Sequence, residues 1–376
     1  MPNLLDLNFI SRYVKTLPEA LLLPTYNKDI VDQSLEDYIY TVKYHFKKHN
    51  KKYIVFNDFL ESPRCTYFNF LNTTGKELLQ SLSIDTSRCK YFCGATNISD
   101  NTVKYVNLIN QHNLLRLPIY YSDYFEKNFA NTLNSNDKPL FTDPVLPKDK
   151  RFLFLAGSPR LHRVWLLLHL IKQGILSNCL YSMFVDEFYF IERLQLWEHI
   201  LFVYEDVEVI KNAKLVLPQY LTSNIGDWSR QHQLPKDDVT LFNQAYISII
   251  AETVFFQNRY DLPSPYLDNN EYHYDFTFLT EKTFRAIALK HPFIILSLPN
   301  SLKTLHKLGY KTFSPYIDES YDEITDDMAR LQRILDLIAT INSYTDKQML
   351  DFYNNILPIV EYNYSVLRDR NISYTI

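Results

Sequence analysis

Hydrophobic and polar positions along this chain switch repeatedly between two periods. VDQSLEDYIYTVKYHFKKHN (31–50) places apolar residues three and four apart and ends in a basic turn, which predicts an amphipathic helix. The first 50 residues as a whole read as helices. Short apolar runs bounded by polar residues predict buried strands instead: YIVF within KKYIVFNDFLES (51–62), RCKYFCGA (88–95) and RLPIYY (116–121). SDNTVKYVNLINQHN (99–113), between the last two, has helical spacing. TLNSNDKPLFTDPVLPKDK (132–150) then breaks the pattern with three prolines among Asn, Asp and Ser, and predicts a linker over 134–150.

The clearest unit follows at once. RFLFLA (151–156) predicts a strand, Gly157 a turn, Ser158 an N-cap and Pro159 the first helical position, with the helix running to a Gly174 stop. A second alternation begins at 279. Thr280 caps EKTFRAIALKH, Pro292 ends that helix, and FIILSL (293–298) is a buried strand. SLKTLHKLG is a helix stopped by Gly309, and YKTFSPYI (310–317) extends again. DEITDDMARLQRILDLIATI (322–341) is an amphipathic helix with an acidic first turn, and the tail from Thr345 is helical with an interruption at Pro358. Alternating strands and helices predict an α/β fold with a parallel, doubly wound sheet, whose ligands bind beyond the carboxyl ends of the strands. The expected organisation is an N-terminal domain over 1–133, the linker 134–150, a second domain over 151–344 and a helical tail over 345–376 that packs back on the first domain.

Composition removes several function classes. The chain has 376 residues but only 6 Gly, and no two of these lie close enough to form GxG, GxxxxGK or GxSxG. The dinucleotide fingerprint, the Walker loop, the kinase glycine loop and the nucleophile elbow are therefore absent. The four Cys make no CxxC pair and His and Cys do not cluster at zinc spacing, so free thiols and no structural metal are expected. VWLLLHLI (164–171) and FIILSL fall well short of the roughly 20 apolar residues a membrane span needs, and the N-terminus lacks a cleavable apolar segment. A cytoplasmic location is expected. Net charge is −4, yet residues 1–150 carry 18 Lys and Arg against 16 Asp and Glu, so the basic excess lies in the first half. HFKKHNKKY (45–53), a basic run with flanking aromatics, would be a phosphate contact if the partner were DNA.

The chemistry-bearing residues gather at two helix starts. Arg160, His162 and Arg163 lie in the first turns of the helix after Gly157. Cations there oppose the helix dipole unless an anion docks on the free amides, and Arg offers a two-pronged contact to phosphate. Thr280, Glu281 and Lys282 open the second helix, with Arg285 one turn on. Lys282 offers a point charge for phosphate and Glu281 an acceptor for ribose hydroxyls. Together the two starts predict a diphosphate site. No metal-holding Asp-x-Asp occurs anywhere in the chain. Asp237-Asp238 and Asp326-Asp327 instead read as dipole partners at helix starts.

FLTEKTFRAIALKHPFIILS resembles the signature of α-1,3-fucosyltransferase-like glycosyltransferases, a Thr-Glu-Lys helix start followed by a short helix, Pro and an apolar strand. RFLFLAGSPRLHRVWLLLHL resembles that family's donor-domain opening, and more closely the form in virus- and phage-encoded relatives, as does KLGYKTFSPYIDESYDEITDDMARLQRI. The likeness covers roughly 151–340, while NEYHYDFTF (270–278) departs from the family's wording. The resemblance implies a GT-B fold of two facing Rossmann-like domains and a nucleotide-diphosphate sugar as co-substrate, with no other cofactor and no metal. It places Arg163 and Lys282 on the diphosphate and Glu281 on the ribose, with Glu252 a further candidate for the sugar or for helix positioning. Arg, Lys and helix ends would neutralise the leaving diphosphate. An inverting transfer, the expected course, needs one general base in the N-terminal domain. Asp58 and Glu61, after YIVFN, fit that position, with Asp123 after RLPIYY as runner-up. Three classes stay open: transfer to a glycan, lipid-linked or protein hydroxyl; transfer to a hydroxymethylated base of phage DNA; and a non-catalytic nucleotide-binding or interaction protein on the same fold. Oligomeric state stays open as well.

Overall fold

The computed structural model describes residues 20–24, 35–58, 75–93, 119–121, 124–135, 146–157, 160–183, 208, 236–256, 277–314 and 316–370. The chain divides into two compact units, Met1–Tyr124 with Asn371–Ile376, and Phe125–Arg370. Each carries a four-stranded, wholly parallel sheet among its described residues, so the α/β expectation holds for both.

In the first unit the strands β1 (Ala20–Pro24), β2 (Tyr53–Asp58), β3 (Cys89–Cys93) and β4 (Ile119–Tyr121) lie in sequence order. Helix α1 (Leu35–Lys48) precedes β2 and helix α2 (Lys76–Leu82) precedes β3. The strands expected at YIVF, RCKYFCGA and RLPIYY are present. The reading of the first 50 residues as helices fails at Ala-Leu-Leu-Leu-Pro, which pairs in parallel with β2 from Ala20↔Tyr53 to Pro24↔Asn57. A five-residue apolar run ending in Pro has no period to reveal its state, and the neighbouring strand decides it. The helix expected at 99–113 lies outside the described residues.

In the second unit the strands β5 (Lys150–Ala156), β6 (Cys179–Met183), β7 (Ala245–Ala251) and β8 (Phe293–Leu296) run in the order β6-β5-β7-β8. Its helices are α3 (Tyr124–Ser135, from Phe125 on), α4 (Leu161–Lys172), α5 (Lys236–Gln244), α6 (Glu281–Ala288), α7 (Ser301–Lys307), α8 (Asp327–Asn342) and α9 (Asp346–Arg368). The chain winds one way from β5 through α4 to β6, and the other way from β7 through α6 to β8. The carboxyl ends of β5 and β7 therefore flank the point where strand order reverses, the crevice in which open α/β sheets bind ligands. Every residue of β7 is buried, as expected of a parallel strand covered on both faces. The core is built by Phe152, Phe154, Ile247 and Ile294 from the sheet and by Trp165, Leu166 and Leu167 from α4.

Several local stops are as the sequence implied. Gly174 (φ +69°) and Gly309 (φ +90°) end α4 and α7 in the left-handed region, where a side chain would strain the backbone. Others differ. Helix α4 begins at Leu161 with Arg160 as N-cap, later than the expected start at Pro159. Helix α8 begins at Asp327, capped by Asp326 onto the Ala329 amide at 2.7 Å, because Asp322 is used elsewhere. The Asp322 carboxylate accepts from the Leu302 and Lys303 amides at 2.9 and 3.1 Å and so caps α7. The segment 310–313 forms no strand; Glu319 instead accepts from the Phe313 amide at 2.7 Å. Pro358 lies inside α9 without interrupting it. It is on the exposed side, as is Asn354 one turn earlier, so water can reach the carbonyl that lost its donor.

The unit boundary at 124/125 is earlier than the expected 133, because α3 buries Phe125, Phe129, Ala130 and Leu133 in the second unit. Lys148, placed by sequence in a linker, is buried there too. Helix α9 also belongs to that unit up to Arg370, where the Arg370 guanidinium donates to Glu126 at 2.6 Å.

Candidate functional site

The carboxyl end of β7 runs into Glu252, a fully buried carboxylate on which two helix starts converge. From α6, the Thr280 amide and the Thr283 hydroxyl donate to Glu252 Oε1 at 2.9 and 2.6 Å, and the Thr280 hydroxyl donates to Oε2 at 2.5 Å. From α4, His162 Nε2 and Arg163 Nη2 lie 2.9 and 3.2 Å from the Glu252 carbonyl, and Arg163 Nη2 also donates to the Ala251 carbonyl at 3.1 Å. A backbone carbonyl only accepts, so His162 carries its proton on Nε2. Burial first, then the neighbouring Arg163, holds its pKa well below the ordinary imidazole value, and the ring is a neutral packing group stacked on Phe255 at 5.5 Å.

Lys282 projects beside this hub. Its ammonium donates to Thr280 Oγ1 and Glu281 Oε1, both at 2.9 Å, and lies 3.7 Å from Glu252 Oε2. Its side chain keeps 20% of its surface exposed, and that of Glu281 keeps 13%. The two carboxylates and two hydroxyls around it (Thr253 Oγ1 is 3.4 Å away) form a polar cluster facing the carboxyl edge of the sheet. Arg160, the N-cap of α4, is half-buried, and its own side chain does not cap the amides of that helix.

The residues expected at the two helix starts thus come together. Arg160, Arg163, Glu252, Thr280, Glu281 and Lys282 surround the switch point between β5 and β7. Arg163, expected on a diphosphate, is only 3% exposed and ties α4 to the β7 end. Glu252 locks the start of α6. Arg285 lies on the same helix, one turn further from its start. Asp58 is the last residue of β2, paired with Cys93 at the carboxyl edge of the first sheet. Glu61 and Asp123 lie outside the described residues.

Two contributors escaped the sequence reading. Thr283 is one. The other is Arg330, only 1% exposed, which donates to the Phe255 carbonyl at 2.7 Å and the Asp327 carboxylate at 2.6 Å. It braces the far end of the segment that begins with Glu252. A signal was present: Arg330 stands one turn before Ile334 on the apolar stripe of α8, where a cation needs a buried partner.

Among the described residues, no group of three or more His, Cys, Asp or Glu side chains is placed to hold a metal ion, and no helix is long and apolar enough to cross a membrane. No protein-family model and no curated protein sequence matches the chain.

Proposed function

We propose that the chain is a metal-independent glycosyltransferase of GT-B-like architecture. It moves a sugar from a nucleoside-diphosphate sugar to an acceptor hydroxyl, with inversion. The observation that carries this reading is the meeting of two cation-bearing helix starts over one buried carboxylate at the switch point of the second sheet. Such a crevice is where doubly wound sheets hold nucleotides, and helix N-termini favour anions. The resemblance of 278–297 to a fucosyltransferase-type donor motif supports the same assignment.

In this reading Arg160, Lys282 and the start of α4 receive the diphosphate. Glu281 accepts from the ribose after releasing Lys282. Arg163, Glu252, Thr280 and Thr283 hold the two helix starts at a fixed spacing, and Arg285 adds positive potential one turn further along α6. Developing charge on the leaving diphosphate is stabilised by these preoriented groups. The candidates for the general base stay Asp58, at the end of β2, with Glu61 and Asp123.

The test is thermal unfolding with UDP, GDP and CDP in the presence of EDTA. A nucleotide at a hundred times its Kd adds about 2.7 kcal/mol of stability, which is an unmistakable rise in Tm. Lys282→Ala should lose most of that rise. No rise with any of the three nucleotides would refute the reading.

A further inference from the structure

The exposed face of α1 combines aromatic rings with lysines. Val42, 1% exposed, marks its inward side. On the opposite side Tyr40 and Tyr44, one turn apart, are 72% and 50% exposed, and Lys47 and Lys48 continue the same face. Lys48 Nζ lies 5.1 Å from the centre of the Tyr44 ring, so cation and ring sit side by side. Beyond the helix, Lys51 and Lys52 extend the stripe, and Arg88 joins it through a 2.7 Å bond from Nε to the Lys52 carbonyl.

Glu36 and Asp37 stand in the first turn of α1, and the residues that follow, 38–57, contain five Lys, two His and no Asp or Glu. Asp85, which accepts from the Ser87 amide, is the carboxylate on the adjoining segment. The first unit carries 14 Lys and Arg against 12 Asp and Glu, while the chain as a whole is acidic. Burial first, then His49 and Lys48, lowers the proton affinity of His45. A helix C-terminus favours cations in its last turn, which accounts for Lys47 and Lys48. It does not account for two tyrosine rings left in water.

We propose that this face binds single-stranded nucleic acid, with Lys47, Lys48, Lys51 and Lys52 on phosphates and Tyr40 and Tyr44 stacked on unpaired bases. Lysines tracking a backbone beside exposed aromatic platforms is the chemistry by which single strands are held with little sequence preference. A lipid surface would call for a large apolar face turned outward, whereas the apolar side of α1 faces inward. The assignment is independent of the sugar-transfer reading, and each can fail alone.

The experiment is fluorescence anisotropy of a labelled mixed-sequence 20-nucleotide DNA strand with the full chain over a sodium chloride series. Four phosphate contacts predict a slope of about −3 for log affinity against log salt. Replacing the four lysines by Glu should abolish binding and its salt dependence. Tyr40→Ala with Tyr44→Ala should weaken binding at least tenfold and leave the slope unchanged. Tyr40, Tyr44, Lys47, Lys48 and Lys52 are exposed and Lys51 is half-buried, and an unchanged Tm confirms that the fold is kept. The proposal is overturned if the tyrosine variant binds like the parent, if poly-glutamate competes as well as the strand, or if phosphatidylserine vesicles bind more tightly.

Discussion

Glu252 and Thr280 are joined at two points: one carboxylate oxygen accepts from the Thr280 amide at 2.9 Å and the other from its hydroxyl at 2.5 Å. The hydroxyl proton is thereby committed to Glu252. Its contact with the Lys282 amide, the usual N-cap bond, is stretched to 3.5 Å. The start of α6 is therefore set by the end of β7 more than by its own cap. One residue couples strand end and helix start, so the geometry of the candidate site depends on it.

Glu252→Gln tests that coupling. An amide keeps one acceptor oxygen but turns a donor toward the Thr280 hydroxyl, which already accepts from Lys282. A buried donor without an acceptor costs about 1–3 kcal/mol, and the loss should appear as a lower midpoint in denaturant unfolding. Nucleotide affinity should fall with it if the switch-point crevice is the binding site. Unchanged stability would show that Glu252 does not set the start of α6.

Glu281 and Lys282 make a sharper test of the diphosphate site. Their 2.9 Å ion pair must open before Lys282 can meet a phosphate. Glu281→Gln removes the competitor, and a partly exposed pair of this kind is worth up to about 1 kcal/mol, or roughly fivefold in affinity. Inorganic pyrophosphate should bind up to that much more tightly to the variant. A nucleoside diphosphate should gain less or lose, since the ribose acceptor is weakened. Lys282→Ala should weaken both ligands. Pyrophosphate affinity equal to the parent in both variants would remove the pair from the site, as isothermal titration would show.

Much of this was legible along the chain, and what was hidden has a common cause. Gly174, Gly309 and Thr280 announce helix ends through local rules that hold whatever surrounds them. The cations at 160, 163 and 282 could be placed at helix starts in the same way. Their directions could not. Arg163 turns inward because the Ala251 and Glu252 carbonyls, some 90 residues away, stand at the end of a strand beside its helix. Asp322 leaves its own helix for α7, and Ala20–Pro24 becomes a strand, for the same reason: the partner lies far off in sequence. Periodicity reports which residues are inside, but tertiary pairing decides what they touch.

His291 offers a test of the core that does not touch the candidate site. Its Nε2 lies 2.7 Å from the Ala245 carbonyl and must carry the proton, so Nδ1 accepts from the Ser248 hydroxyl at 2.8 Å. Burial first, then nearby Lys148, pushes its pKa down to about 3. The unfolded chain takes up a proton near 6.5, so between those values the native state binds fewer protons. Its contribution is therefore complete above pH 6.5 and declines as pH falls toward 3, by about 1.4 kcal/mol for each unit. Lys148, pushed down to about 7 by burial, titrates between its folded and unfolded values above that window. Glutamine at 291 does not titrate. The stability advantage of the parent over His291→Gln, measured by denaturant unfolding, should be largest at pH 7 and shrink by more than 1 kcal/mol at pH 5. An advantage that stays constant from pH 7 to 5 would mean that the imidazole is not held neutral between Ala245 and Ser248.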